Sequence, residues 1–259
     1  MSELRNYQSR PGQTGAQSAT MIDEGLRAYM LKVYNLMALG LAITGIAAFV
    51  TFIVATTTDP STAVAQLGNG VMLTGVGAAL YQSPLQWVVM LAPVGLVFFM
   101  SFKIHTMSVS AAQTTFWVYA ALMGLSLSSI FLVYTGASIV QTFFVTAASF
   151  GALSLYGYTT KRDLSAMGSF LIMGLFGLII ASLVNIFLAS SALEFAISAI
   201  GVLLFAGLTA YDTQNIKDAY YEADGSDVAG RKAIMGALQL YLDFINLFLF
   251  LLRFLGNRE

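Results

Sequence analysis

Long apolar stretches recur along this 259-residue chain, and no other feature constrains its fold as strongly. A helix that crosses the hydrocarbon core of a bilayer needs about 20 predominantly apolar residues. Seven segments approach or reach that length, namely 33–56, 85–102, 111–134, 139–158, 167–188, 195–216 and 233–254. We therefore predict an all-α membrane protein, a bundle of seven transmembrane helices in contact with the lipid bilayer.

The second of these segments is the shortest, and it carries Pro93, which predicts a kink. The run 71–80 before it contains Gly75 and Gly77. This run predicts either a re-entrant piece or a loop segment on the extracytoplasmic side, since irregular backbone is not tolerated against lipid.

Composition excludes several classes of protein. Apolar residues make up 58% of the chain and charged residues only 10%, against about 25% charged in soluble domains, which argues against a soluble enzyme. The net charge of −1 does not suit nucleic-acid binding. Cysteine is absent and His105 is the single histidine, so disulfides, thiolate catalysis and Cys/His zinc sites are excluded. We predict no enzymatic activity and no cofactor, and oxygen ligands that suit protons or hard cations such as Ca²⁺.

Polar and basic residues predict the domain organisation and the orientation. Residues 1–28 are rich in Gly, Ser and Gln and predict a disordered cytoplasmic tail, followed by a transmembrane domain over 29–259. Ten of the twelve basic residues fall on one alternating set of loops, which predicts a cytoplasmic amino terminus. Those ten residues are Arg5, Arg10, Arg27, Lys32, Lys103, Lys161, Arg162, Lys217, Arg231 and Lys232.

The other two basic residues, Arg253 and Arg258, conflict with that rule, because seven full spans would place the carboxyl terminus outside. A re-entrant last segment would bring them inside. We favour a full span, since 233–254 is long enough to cross the bilayer.

Two acidic residues lie within predicted spans, where an ionisable side chain costs at least about 2.5–3.5 kcal/mol at the helix centre. Asp243 is about ten residues inside the seventh segment, and Asp212 is near the cytoplasmic end of the sixth. Because residues three or four apart share a helical face, each acid belongs to a polar stripe. The stripes are Thr209, Asp212 and Asn215 on one helix, and Gln239, Asp243 and Asn246 on the other. We predict that they face each other in the cytoplasmic half of the bundle.

If the two carboxyls meet, ionising both is unfavourable in a low dielectric, so one should retain its proton and the pair should titrate as a unit. Proton loss would separate the helices and open a hydrated path, while a proton or a cation held by Asp212 and Asp243 would close it. A simpler interpretation leaves Asp212 as a cap or an interfacial side chain and Asp243 neutral or locally hydrogen-bonded. Asn185, with Ser182, would line the same cavity or hydrogen-bond between helices.

Three segments resemble the Bax inhibitor-1 family. They are YDTQNIK at 211–217, LYLDFINLF at 240–248 and LRFLG at 252–256, and LYGYTTKRDLS at 155–165 is similar to the bacterial YbhL-type branch. The resemblance covers about residues 25–259. It implies a seven-helix fold whose last helix is surrounded by the other six, with Asp212 and Asp243 as a pH-sensing latch for calcium leak.

The resemblance also has a departure. Calcium-leak relatives have an arginine at the cytoplasmic end of the second helix and an acid within it, whereas segment 85–102 contains no acid. Lys103 is the candidate cationic latch at that end, although it lacks the fixed fork of arginine.

These observations predict a bacterial inner-membrane protein that permits a pH-sensitive passive leak of Ca²⁺ or another cation. The alternative is a membrane-embedded regulator that acts by protein contact, for example on a membrane-anchored AAA protease or in cell-death protection, without conducting ions.

Overall fold

The computed structural model describes residues 12–257, and the surroundings of side chains from Glu24 to Asn257. Eight α-helices follow one another in this part of the chain. They are α1 (Gly12–Ala55), α2 (Gly75–Gln82), α3 (Leu85–Lys103), α4 (Val109–Leu127), α5 (Gly136–Thr159), α6 (Ser165–Leu188), α7 (Ser191–Asp218) and α8 (Ser226–Leu255). A short 3-10 helix, Ser128–Leu132, extends α4. All but α2 are long and apolar enough to cross a membrane, which confirms the all-α membrane bundle predicted from the seven segments.

Helix α1 begins earlier than its apolar segment. The structure places residues 12–28 in α1, whereas the sequence predicted a disordered tail over 1–28. Residues 1–11 of that predicted tail lie outside the described residues. Adding residues to an existing helix avoids the unfavourable nucleation step, so Gln, Ala, Met and Leu can prolong a helix that the membrane segment has already formed.

The 71–80 run is part of a segment, residues 56–82, that forms a small sheet and a short helix at one end of the bundle. Strands β1 (Thr56–Thr57), β2 (Ala65–Gln66) and β3 (Met72–Leu73) make an antiparallel sheet in the order β1-β3-β2. Helix α2 follows, with the Thr74 side chain accepting a hydrogen bond from the backbone N–H of Gly77. The sheet and the capped start of α2 fit the interpretation of this run as a loop segment rather than as a re-entrant piece.

Helix α8 is at the centre of the bundle. Fifteen of its thirty residues are buried, compared with two of nineteen in α3 and three of twenty-four in α6. It packs against α1, α4, α5 and α7. The expected central last helix is therefore present, but it is not surrounded by all six others, since α3 packs mainly on α4 and α6 mainly on α7.

Hydrogen bonds identify the two ends of the bundle. Lys217 donates to the carbonyl of Tyr158, and Arg231 donates to the carbonyl of Met107. These bonds bring the loops after α3, α5 and α7 together. We call this end the basic end because Lys103 is the last residue of α3 and Lys161 and Arg162 lie in the loop after α5. At the opposite end, the Asn257 backbone N–H donates to Ser138 at the start of α5. Helix α8 thus runs uninterrupted from the basic end to the opposite end, as a full span requires.

A tightly packed region joins α1, α4 and α8. Gly40 leaves room for the Phe116 ring, because a Cβ at position 40 would lie 2.8 Å from Cζ of Phe116. The Thr44 hydroxyl is 2.6 Å from the Tyr241 hydroxyl and 2.8 Å from the carbonyl oxygen of Ala120. Side chains from three helices therefore meet in one buried cluster.

Candidate functional site

A cleft of about 720 Å³ opens between α6, α7 and α8. Helix α7 forms its floor with α8, and α6 forms the outer wall. The polar side chains that line it are Ser182 on α6, Tyr211, Asp212 and Asn215 on α7, and Gln239, Asp243 and Asn246 on α8. The cleft therefore gathers most of both predicted polar stripes in one place.

Asp212 and Asp243 contact each other at the base of this cleft. Their side chains are only 6% and 4% exposed, and the two carboxyl groups are within hydrogen-bonding range of each other. The side-chain amide of Gln239 lies beside Asp212 in the lining of the cleft. Burial removes water from both carboxyls, so their ionisation depends on each other and on Gln239.

One carboxyl oxygen at the base of the cleft lacks a hydrogen-bond donor among the described residues. Oδ2 of Asp243 is buried and receives no hydrogen bond from an N–H or hydroxyl group of the described residues. The neighbouring Asp212 carboxyl can supply a donor when it is protonated. A proton or a cation between the two carboxyls would therefore satisfy an oxygen that is otherwise costly to bury.

The amide side chains extend the polar surface along the cleft. Gln239 is exposed although it lies in the middle of a membrane-spanning helix. Asn215 and Asn246 are half-buried, and the Asn246 side chain donates to the carbonyl of Leu242. Ser182 donates to the carbonyl of Leu178 on its own helix. These groups offer oxygen atoms to a proton, to water or to a cation.

Three other predicted residues lie elsewhere. Thr209 is fully buried and donates to the carbonyl of Phe205 within α7. Asn185 does not line the cleft, and its side chain accepts from the backbone N–H of Ser190 at the end of α6. Lys103 is exposed at the end of α3, which packs on α4 and α2 rather than on α7 or α8. The structure does not bring these three side chains to the carboxyl pair.

A resident metal is not indicated by the donor set. Among the described residues, no group of three or more His, Cys, Asp or Glu side chains is placed to hold a metal ion. The two carboxyls and the neighbouring amides are hard oxygen donors. They suit a cation that binds weakly and leaves again, rather than one held permanently.

Sequence reasoning missed the outer wall of the cleft. Ile179, Leu183 and Ile186 on α6 line it, and so does Phe250 on α8. Apolar residues occur throughout the spans, so nothing in the sequence distinguishes these four from side chains that face lipid. Tyr211 was also missed, although it lies next to Asp212 in the chain and packs closely on Gly168 of α6.

Known proteins and a family model are similar to nearly the whole chain. The family model described as "Inhibitor of apoptosis-promoting Bax1" matches residues 26–259. A protein of Rickettsia prowazekii is 52% identical over 237 residues, which cover 92% of each chain. A protein of Caulobacter vibrioides is 49% identical over 240 residues, again 92% of each. The inner membrane protein YbhL of Escherichia coli K12 is 48% identical over 239 residues, 91% of this chain and 94% of its own.

Proposed function

This chain belongs to the Bax inhibitor-1 family, and on that premise we propose that it is an inner-membrane protein that permits a pH-sensitive passive leak of Ca²⁺ or another cation. Asp212 and Asp243 are the gate. The observation that carries the proposal is the contact of these two buried carboxyls at the base of a cleft lined with amide side chains.

Electrostatic repulsion supplies the opening force. Two unit charges about 4 Å apart repel by about 4 kcal/mol at an effective dielectric constant of about 20. A difference of about 5.5 kcal/mol is enough to move a two-state equilibrium from 1:99 to 99:1. The repulsion of about 4 kcal/mol is smaller than that, but it still changes the ratio of two arrangements of α7 and α8 by about a thousandfold.

The same contact explains closure. When one proton remains on the pair, Asp212 and Asp243 hydrogen-bond and hold α7 against α8. When that proton leaves, the two helices separate. Water then enters along the amide groups of Gln239 and Asn246, and a cation passes down its own concentration gradient. A cation bound between the carboxylates restores the attraction and closes the path again.

The decisive experiment is ion flux into proteoliposomes from about pH 5 to about pH 8, the range in which a coupled carboxyl pair can titrate. Asp212→Asn and Asp243→Asn keep the side-chain size and the hydrogen bonding but cannot ionise. Asp218→Asn is the matched control, because Asp218 is exposed at the end of α7 and does not line the cleft. We measure Ca²⁺ and monovalent-cation flux for each.

Wild-type protein should conduct more as the pH rises, because proton loss opens the gate. Each cleft variant should lose that pH dependence, and Asp218→Asn should retain it. Folded wild-type protein that passes no cation at any pH would contradict the leak. Capture of protein partners from the membrane would then test the alternative of a regulator that works by contact.

The proposal also places the basic end in the cytoplasm. Because the chain contains no cysteine, single cysteines can report the side of each loop. Ser226→Cys, at the basic end, should react with an impermeant maleimide only after the cytoplasmic face is opened. Ser61→Cys, in the exposed loop at the opposite end, should react in intact cells. The reverse pattern would invert the orientation.

A further inference from the structure

The cleft leaves polar groups facing a region where a bilayer supplies no partner. Gln239 is exposed there, and Asn215 and Asn246 are half-buried. Hydrocarbon cannot hydrogen-bond to amide side chains, so polar groups at membrane depth face protein, water or a bound molecule. The cleft therefore requires an occupant with polar character at its base.

The charge at the base is negative. None of the residues that line the cleft is Lys, Arg or His, and the two carboxyls are its acidic groups. A pair that holds one proton carries one negative charge. Oδ2 of Asp243 is nine-tenths buried and has no donor from N–H or hydroxyl groups in the described part of the chain. The base therefore suits a group that carries one positive charge and donates hydrogen bonds.

The outer wall has the opposite character. Ile179, Leu183 and Ile186 of α6 line the cleft and are 48%, 54% and 72% exposed. They form an apolar track that leads from the carboxyl pair to the outer surface of the bundle, and Phe250 of α8 faces it. Such a track favours an alkyl or aromatic tail that continues into the bilayer.

We propose that the cleft is a binding site for an amphiphilic amine, with its ammonium group at Asp212 and Asp243 and its apolar tail along α6. An ammonium has three N–H donors, enough for Oδ2 of Asp243, a carboxylate oxygen of Asp212 and the side-chain oxygen of Gln239. The volume of about 720 Å³ is within the range of about 300–1,000 Å³ found for small-molecule sites. This assignment goes beyond the proposed leak and does not depend on ion conduction.

The test is equilibrium binding of radiolabelled decylamine to the full chain in nanodiscs at pH 7, with empty nanodiscs to subtract partition into lipid. Wild-type protein should show one saturable site. Unlabelled decylamine should displace the label, and decanol at the same concentration should not. Asp243→Asn should weaken binding at least tenfold, while Asp218→Asn should bind as the wild type does.

A second variant protects the test against a folding defect in Asp243→Asn. Leu183→Trp narrows the cleft at an exposed position and leaves both carboxyls in place. It should weaken decylamine binding at least fivefold while the protein keeps its thermal stability. Equal binding by Leu183→Trp and the wild type would overturn the assignment, as would the absence of a saturable site.

The two proposals fail separately. Displacement of the label by decanol, or unchanged binding in Asp243→Asn, would show that only an apolar tail is recognised, and would overturn the amine site without affecting the flux result. Saturable, carboxyl-dependent binding together with no ion flux would support the amine site and remove only the leak.

Discussion

Helix α8 has two faces that differ in almost every physical respect. On one, the closed face, Tyr241 packs edge-on against Phe116 and hydrogen-bonds Thr44 of α1. On the other, the cleft face, Asp243 meets Asp212 beside an open space. The two side chains are two residues apart in the sequence, yet one is enclosed by well-packed partners and the other faces a cleft.

The difference separates the closely packed side of this helix from the side that carries the candidate functional site. The closed face stabilises the bundle through close packing and satisfied hydrogen bonds, with α1 and α4 held together at Gly40 and Gly124. The cleft face retains two carboxyls whose partners depend on protonation. Because the cleft leaves open space beside Asp212 and Asp243, side chains on this face can rearrange without displacing those of the closed face.

The largest expected effect comes from disturbing the contact between α1 and α4, the two helices that cover the closed face. A Cβ at Gly124 would lie 2.7 Å from Cβ of Ala47 and closer still to the carbonyl oxygen of Thr44. Since backbone cannot move as a side-chain end can, Gly124→Val should lower the free energy of unfolding by about 3 kcal/mol. Thermal unfolding in detergent measures this. Gly151→Ala is the control, because nothing lies within 4 Å of a Cβ at Gly151, and a comparable loss there would refute the packing argument.

The next effect is a coupling on the cleft face. Asp212 and Asp243 are in contact, so the stability changes of Asp212→Asn and Asp243→Asn should not add, with a coupling energy of about 1–2 kcal/mol at neutral pH. Unfolding titrations of the wild type, both single variants and the double variant measure it.

Asp227→Asn provides the comparison for that cycle. Asp227 and Asp243 are 16 residues apart on α8, about 24 Å along a helix, so their effects should add within about 0.5 kcal/mol. A coupling as large as that of the contacting pair would show that the cycle reports net charge rather than contact.

A smaller effect distinguishes Tyr241 of the closed face from Tyr119 of α4, which packs against it. The Tyr241 hydroxyl contacts Thr44, whereas the Tyr119 hydroxyl is buried with no hydrogen-bond partner among the described residues. Tyr241→Phe should therefore cost about 1 kcal/mol of stability. Tyr119→Phe should be neutral or slightly stabilising. Equal losses would mean that the two hydroxyls are equally well satisfied, and neither variant should alter ion flux.

The seven spans could be predicted because membrane insertion imposes one strong requirement. A run of apolar residues long enough to cross the bilayer is visible in the sequence, and apart from the earlier starts of α1 and α8 the helices begin and end within a few residues of the predicted segments. The extension of α1 to Gly12 could not be predicted in this way, because there a polar stretch continues a helix that the neighbouring apolar segment forms.

The site was partly predictable for a similar reason. Charged and amide residues are rare in spans, so helical spacing identifies Asp212, Asn215, Gln239, Asp243 and Asn246, all of which line one cleft. Helical spacing could not show which residues of a polar stripe line the cleft and which are buried between helices. Thr209 shares a face with Asp212 by spacing, but α7 buries it away from the cleft. The predicted role of Lys103 as a cationic latch depended on which helices α3 packs against, and the length of a span does not determine that.

The smallest effect concerns the start of α6, the outer wall of the cleft. Hydrogen bonds from the side chain and the backbone N–H of Ser165 lower the pKa of the exposed Asp163 carboxyl below its usual value. A carboxyl whose pKa is lowered by folding stabilises the folded state above its unfolded pKa, and that contribution is lost as the pH falls through the folded pKa. Asp163→Asn should therefore speed amide exchange at Ser165 at pH 7, and the difference from the wild type should disappear once the pH falls below the lowered pKa of Asp163. Exchange near Thr44 on the closed face should not change at either pH, and a change there would mean that the two faces of α8 are not independent.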